Sequence, residues 1–418
     1  MAHTVLGNVA LGYQLLWSRL RQLCGVQLFI GTDDAQAVDA THLLAALEDL
    51  WSEQAPVLLL SVPSHRLLGE LLDQASAASP WLEVHETQLR DPAIARRIAP
   101  AHQRGLRLIW RGEPGTRPSA ALAPCFLRQM ASLSPEDALA GLRVSRRNHH
   151  AAAVVTPLSR LSSPVQAGQI YEALACRALV EHCLDEQGVW AVAGWPLEDV
   201  LHGYRRQRIQ PGHHAIVHLV ETIDADGSME AIEHILSEEP ILAYRFMRYA
   251  NSAGLGLHTE IESIRHALMV LGLSLLRAWL LEQLPHASSD LNLQPVRTSM
   301  VVRARLMAQL LEAGDSDELR REVYLCGLLS QMDLMLGEPL AEILARVPLS
   351  QRISAAILSQ SGPYLPYLEL ACAMESSQTQ ATQSLCDSHQ MDREEVNRAL
   401  LRTLSSASSR PAKGLLLV

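Results

Sequence analysis

The sequence predicts an α/β domain followed by an all-α domain. From residue 1 to about 195, short continuous apolar runs alternate with helix-period stretches, the pattern of βαβ units around a mostly parallel sheet. After Pro196 strand signals almost vanish and helix-period segments follow one another. The 418 residues, 48% hydrophobic and 4% aromatic, provide chain enough for two ordinary cores.

In chain order, strands are expected at 26–31 (VQLFIG), 57–62 (VLLLSV), 81–86 (WLEVHE), 105–112 (GLRLIWRG) and 189–195 (VWAVAGW). Helices are expected between them at 40–51, 64–75, 92–104 and 168–187. The segment 141–166, with Arg143, Arg146, Arg147, Pro157 and Pro164 and little periodicity, predicts a long surface loop. Ligands in such folds gather at the C-terminal ends of strands, which singles out Ser61, Glu86 and Arg111.

The second half predicts helices at about 200–208, 213–222, 228–236, 240–250, 261–284, 296–313, 317–336, 338–345, 349–360, 364–375 and 392–403. Ile261, Ile264, Leu268, Leu271, Leu275 and Trp279 recur at three- and four-residue steps and predict one buried face. Pro240 suits a first helical turn, Asn251 can end that helix in left-handed backbone, and Gly254 and Gly256 permit a tight loop. The runs SSQTQATQS (376–384) and SSASSRPAKG (405–414) are polar and small, which predicts mobility. The expected division is 1–195, 196–404 and a flexible tail 405–418.

Composition narrows the function classes. A formal charge of −10 argues against a general nucleic-acid-binding surface. Seven scattered cysteines without a CxxC pair argue against a disulfide framework and suit small buried side chains. No run of eighteen apolar residues occurs, and the opening MAHTVLGNVALGYQ lacks the features of a secretory signal, so a cytoplasmic protein without membrane attachment is expected. The only lysine is Lys413, so the folded body offers no amine for catalysis.

Generic catalytic motifs are missing: no GxxxxGK[ST], no GxSxG and no HExxH. The pairs His149–His150 and His213–His214 are expected in or beside loops, where adjacent histidines diverge. ETIDADGSME (221–230) lacks the sixth-position glycine and twelfth-position carboxylate of a calcium loop and suits a helix-capping turn. One apolar stretch, LCGLLSQMDLMLG (325–337), carries Ser330, Gln331 and Asp333 in its middle. A solvated helix face is the simple explanation.

RFMRYANSAGLGLHTEIESIRHALMVLGLSLLRAWLL (245–281) resembles the central signature of HDOD domains. The matching residues are Ala250, Asn251, Ser252, Ala253, Gly256, Ser263, Arg265, Ala267, Leu271, Gly272 and Arg277, and the resemblance extends over roughly 196–400. It implies packing roles: Asn251 and Ser252 cap and turn the chain, Gly272 lets helices approach, and Arg265 pairs with an acid or carbonyl at the domain interface.

HDOD domains resemble HD-type phosphohydrolases that have lost their metal-binding residues. The active helix reads roughly GLLHDIG; here Gly327, Leu328 and Leu329 match, while Ser330 and Gln331 replace the His-Asp pair. Asp333 would lie about 200° around a continuous helix from the Asp slot. Hydroxyl and amide are poor substitutes for imidazole and carboxylate, so no catalytic metal is expected.

The first half is similar to EAL domains, the barrel-shaped cyclic-di-GMP phosphodiesterases, in the EAL-HDOD arrangement of bacterial signalling proteins. On that resemblance Gln14 stands where a metal-binding glutamate belongs, Ser61 replaces a ligand asparagine, and Glu86 aligns with a surviving carboxylate ligand. Trp110 and Arg111 stand where consecutive aspartates would bridge two metals, and a guanidinium repels divalent cations. The family's catalytic lysine has no counterpart in the barrel, whose roughly 190 residues are few against about 250 for an eight-stranded barrel. Reduced or irregular elements are therefore expected.

The resemblance implies a degenerate, shortened EAL-type (β/α) barrel followed by an HDOD domain, with no cofactor and no catalysis. The expected function is non-catalytic regulation or scaffolding through contacts with signalling proteins. The alternatives are a cyclic-di-GMP or other nucleotide sensor using Arg111 as phosphate partner, and residual phosphodiesterase activity.

Overall fold

A computed structural model describes residues 5–32, 38–113, 115–151, 162–205, 207–256, 259–311 and 316–407. Pro157 and the tail beyond 407, with Lys413, lie outside the described residues. Eight strands close into a barrel in sequence order: β1 (Ala10–Trp17), β2 (Leu23–Gly31), β3 (Val57–Ser61), β4 (Trp81–His85), β5 (Leu108–Gly112), β6 (Phe126–Ser132), β7 (Ile170–Glu172) and β8 (Ala191–Ala193). β1 runs antiparallel to both β2 and β8, and the other neighbouring pairs are parallel.

Helices α1 (Ala40–Leu50), α2 (His65–Gln74), α3 (Pro92–Gln103), α4 (Pro135–Ala151) and α5 (Arg177–Glu181) lie in crossovers between successive strands. Each of the first three starts at a side-chain cap: Asp39, Ser64 and Asp91 accept from His42, Leu67 and Ala93 backbone N–H groups. Among the described residues only a 3₁₀ turn at Ala123–Cys125 lies in the crossing from β5 to β6, and β7 and β8 have three residues each. These are reduced elements of the kind the barrel's length implied. Leu16, Leu59, Trp81, Ile109, Met130, Ile170, Ala191 and Ala193 form a cluster that fills its interior.

From α6 (Leu197–His202) the chain is helical: α7 (His213–Asp224), α8 (Met229–Ser237), α9 (Pro240–Ala250), α10 (Ile264–Gln283), α11 (Gln294–Gln309), α12 (Asp317–Leu329), α13 (Met332–Leu336), α14 (Leu340–Leu344), α15 (Gln351–Leu358) and α16 (Leu365–Met374). The segment Ile264–His286 has the length and apolarity to cross a bilayer. Ile264, Ala267, Leu268, Leu276, Trp279 and Leu280 are buried on it, and it packs against α7, α8 and α9, while Met269, Val270 and Leu281 are exposed.

Two compact units result, Met1–Asp199 with Ala373–Val418, and Val200–Cys372. These units divide after Asp199 and after Cys372, where the expected divisions were 195 and 404. Helices α17 (Thr379–His389) and α18 (Arg393–Ser406) return to the barrel, where α17 packs along β1 and β2 and α18 against α1 and the Val5–Asn8 turn. The run 376–384, expected to be mobile, instead leads into α17, because Thr382 and Cys386 are buried there. A Cβ at Gly12 would sit 2.1 Å from the Ser376 carbonyl oxygen, so glycine on β1 is what admits this segment.

Other differences have local causes. Residues 141–151 of the expected loop belong to α4, whose acidic first turn at Glu136 and Asp137 favours the helix N-terminus, and the adjacent His149 and His150 lie on that helix. The expected helix 168–187 contains β7, a left-handed Ala173 at φ 53°, α5 and a π turn at His182–Glu186. β6 gave no strand signal because Arg128 and Gln129 interrupt its apolar residues. Asn251 ends α9 at φ −96°, outside the left-handed region, because its side chain rather than its backbone turns the chain.

Candidate functional site

Alternation along the strands turns Ser61, Glu83, Arg111, Ser132 and Glu172 into one polar layer at the C-terminal end of the barrel. Gln27 Nε2 donates to Ser61 Oγ at 2.8 Å and to Glu83 Oε2 at 2.7 Å, and Ser61 Oγ donates to the same carboxylate at 2.6 Å. Arg111 Nη1 reaches Glu83 Oε1 at 3.2 Å, while its Nε and Nη2 reach Glu172 at 3.1 and 2.7 Å. Ser132 Oγ completes the layer by donating to Glu172 at 3.2 Å. One guanidinium therefore bridges two enclosed carboxylates, whose side chains are only 7% and 12% exposed. Burial opposes the Arg111 charge, but Glu83 and Glu172 outweigh burial and hold its pKa above the ordinary value.

The structure redistributes the expected residues. Ser61 and Arg111 are in the layer. Gln14 pairs in register with Gln27, and its amide would lie 2.6 Å from a Cβ on Gly194, so it occupies the space that glycine leaves. Glu86 follows the end of β4 and accepts from Thr116 Oγ1 at 3.0 Å, outside the layer. Glu83, three residues earlier, is the inward carboxylate; period-two alternation from Trp81 could have found it. Trp110 is buried at 1% exposure and, beside inward Arg111, occupies the opposite face of β5. Glu172 and Ser132 were hidden in segments without a strand signal. The phosphate role considered for Arg111 meets an obstacle: its Nε, Nη1 and Nη2 atoms all hold carboxylates.

In the helical unit, the GLL pattern serves packing. A Cβ on Gly327 would come within 2.7 Å of Ala304 Cα, so α11 and α12 cross at a contact only glycine permits. The stretch 325–337 is not one helix. Ser330 turns its Oγ back to the Gly327 carbonyl at 2.7 Å, Gln331 leaves helical backbone at φ −123°, and α13 begins at Met332. The angle assigned to Asp333 assumed a continuous helix, so it no longer applies. With its amide oxygen toward α11, Gln331 accepts from both Nη1 and Nη2 of buried Arg303 at 3.0 Å. A guanidinium thus adjoins Gln331 as well.

The motif residues from 251 to 277 act structurally. Asn251 Nδ2 donates to the Met247 and Ile261 carbonyls and its Oδ1 accepts from Ile261 N–H, all at 2.9 Å, which closes the loop between α9 and α10. Ser252 precedes a 3₁₀ turn that ends at left-handed Gly256, and Ser263 caps α10. Arg265 pairs with Glu230 and Glu233 on α8, within its own unit, and Arg277 pairs with Asp224. Gly272 does not mediate close approach: no atom lies within 4 Å of its Cβ position, and its φ of 73° and ψ of 164° break α10. That break shifts the buried face, so Leu271 and Leu275 are only half-buried while Leu276 and Leu280 are buried.

A second polar trio, unforeseen in sequence, lies in the barrel unit. Ser163 Oγ, His182 and Glu186 are linked at 2.9 and 3.0 Å in the order of a nucleophile, base and orienting acid. The imidazole is 0% exposed and Ser163 also accepts from Val165 N–H, so the trio ties the segment ahead of β7 to the π turn after α5.

A closed barrel with a polar layer at its C-terminal end and a separate helical unit make up the chain. Residues 212–347 match the HDOD domain family, so the chain carries an HDOD domain there. YuxH of Bacillus subtilis is 26% identical over 215 residues, covering 48% of this chain and 51% of its own length. The cyclic di-GMP phosphodiesterase CdgJ of Vibrio cholerae is 21% identical over 198 residues, covering 47% of this chain and 46% of its own. The chain spans about half the length of each relative. Among solved structures, the MmoQ response regulator of Methylococcus capsulatus has 16% identity and a TM-score of 0.37, covering 46% of this chain and 98% of its own. The EAL enzyme Bd1971, in a form with cAMP and cyclic-di-GMP bound, has 16% identity and a TM-score of 0.29, covering 45% of this chain and 61% of its own. The barrel and the HDOD domain together are consistent with the EAL-HDOD arrangement.

Proposed function

We propose that this chain is a non-catalytic regulator in cyclic-di-GMP-related bacterial signalling, working in the cytoplasm through contacts with other signalling proteins. The observation that carries the proposal is the position of Arg111 between Glu83 and Glu172. Two-metal phosphodiester hydrolysis needs carboxylates free to hold cations that activate water. Here an internal cation takes up both, and a divalent ion placed beside it would face the repulsion of a permanent positive charge. The absence of any lysine before Lys413 supports the same reading.

In the helical unit Ser330 and Gln331 are engaged with Gly327 and Arg303, while Gly327 preserves the packing of the domain. Such a chain retains shape and loses ligands, which suits an interaction surface. The test is incubation of the purified chain with cyclic-di-GMP and manganese or magnesium. No turnover above a metal-free control is expected, and metal-dependent hydrolysis would overturn the proposal.

A further inference from the structure

The helical unit contains a cleft of about 710 Å³ lined in part by Arg208, Arg245, Arg248, Tyr249, Trp279 and His286. Its volume is that of a small-ligand site. Its charge is unusual for this chain. Several arginines elsewhere in the same unit pair with acids: Arg265 with Glu230 and Glu233, Arg277 with Asp224, Arg297 with Glu239 and Arg352 with Glu322.

The cleft breaks that pattern. Among the described residues no carboxylate forms an ion pair with Arg208, Arg245 or Arg248. Arg245 donates to neutral oxygens, Gln210 Oε1 at 2.8 Å, Ile209 O at 3.3 Å and Gln283 Oε1 at 3.4 Å. Exposed Arg248 lies 5.8 Å from the centre of the Tyr244 ring. Burial lowers the Arg245 pKa, Glu239 opposes this, and the Arg208 and Arg248 charges lower it further. Three mutually repelling guanidiniums in a chain of charge −10 make a focused positive field. The cleft also has an aromatic wall, since Tyr249 stacks on Trp279 with ring centres 5.6 Å apart and 22° between planes.

We propose that this cleft binds a nucleoside polyphosphate, with its phosphates on Arg208, Arg245 and Arg248 and its base against Tyr249. Guanidinium groups hold phosphate oxygens through paired N–H donors, and a supported aromatic ring offers a stacking face to a base. The inference does not depend on whether the barrel is inactive, because every group it uses lies in the helical unit.

Calorimetry on the full chain at low salt, with ATP, GTP and inorganic tripolyphosphate as probes, tests it. At least one nucleotide should bind, about tenfold or more tighter than tripolyphosphate given the worth of one base–aromatic stack. Arg248→Ala, at an exposed position, should keep the melting temperature and weaken both nucleotide and tripolyphosphate about tenfold. Tyr249→Leu should weaken the nucleotide while leaving tripolyphosphate unchanged. No heat from ATP or GTP at millimolar concentration overturns the proposal, as does nucleotide binding that Arg248→Ala leaves intact. Equal affinity for tripolyphosphate and nucleotide overturns the assignment of the base to Tyr249.

Discussion

Arg111 on β5 donates to Glu172 on β7 across the intervening strand β6, with Nη2 and Oε2 2.7 Å apart. The same guanidinium reaches Glu83 on the neighbouring strand β4, so one side chain ties the ends of three strands. Arg111→Ala would leave two enclosed carboxylates without their cation. A loss of about 3 kcal/mol is expected, the low end for breaking a buried pair because Arg111 keeps part of its surface in water. Denaturant unfolding of the barrel transition measures it, and a change below about 1 kcal/mol would contradict the bridging role.

Asn397 on α18 sends both amide hydrogens into the barrel unit, to the Leu6 and Val9 carbonyls at 2.8 and 2.9 Å. Asn397→Ala leaves those buried acceptors without these donors and should cost about 2 kcal/mol. Faster amide exchange in β1 and α18 together would show that the C-terminal helices are part of the barrel's cooperative unit. Unchanged exchange in β1 would count against it.

Asn251→Ala removes three hydrogen bonds that hold the Ile261 backbone to the end of α9. A loss of about 2 kcal/mol is expected, read from denaturant unfolding, together with faster exchange of the Ile261 amide. A protected Ile261 amide in the variant would mean that other contacts close this loop.

Gly272→Ala tests backbone strain separately from crowding. The added methyl meets open space, yet φ 73° with ψ 164° is a conformation kept almost entirely for glycine. The expected cost is about 1–3 kcal/mol by thermal melting. A melting temperature equal to that of the parent would show that α10 can straighten without penalty.

Glu239 supplies a pH signature. Burial holds its carboxyl above the ordinary value of 4.5, against the opposing effects of Arg297 and the Gly212 N–H, and its Oε2 lacks a hydrogen-bond partner. Between 4.5 and the raised native value, the folded state retains a proton that the unfolded chain has released. This group's contribution to stability therefore falls as pH rises through that window. The stability of the parent minus that of Glu239→Gln should decrease as pH rises above about 4.5. A difference independent of pH would contradict the assignment.

Much of the fold was legible in local pattern. Continuous apolar runs marked β2 to β5 and β8, β1 was not among the expected strands, and the helical half was recovered except where a polar or glycine position broke a run. Glu83 was legible too, through its two-residue spacing from Trp81, but attention to the strand's end pointed to Glu86. β6 carries Arg128, Gln129 and Ser132 among its apolar residues and β7 spans only three positions, so neither gave an apolar signature. The gathering of Arg208 with Arg245 and Arg248 was invisible for a different reason: cancellation of charge by acids depends on neighbours in space.

By itself the sequence determined the two-part division, the single lysine, the polar Ser330 and Gln331 after the GLL run, and the HDOD signature from Ala250 to Arg277. Those properties reside in residue identity and short-range period. Only tertiary structure decided that α17 and α18 complete the barrel unit, that Arg111 joins Glu83 to Glu172, and that Arg303 faces Gln331. Each of these joins residues distant in the chain, whose meeting is set by barrel closure and helix packing and leaves no periodic trace in sequence.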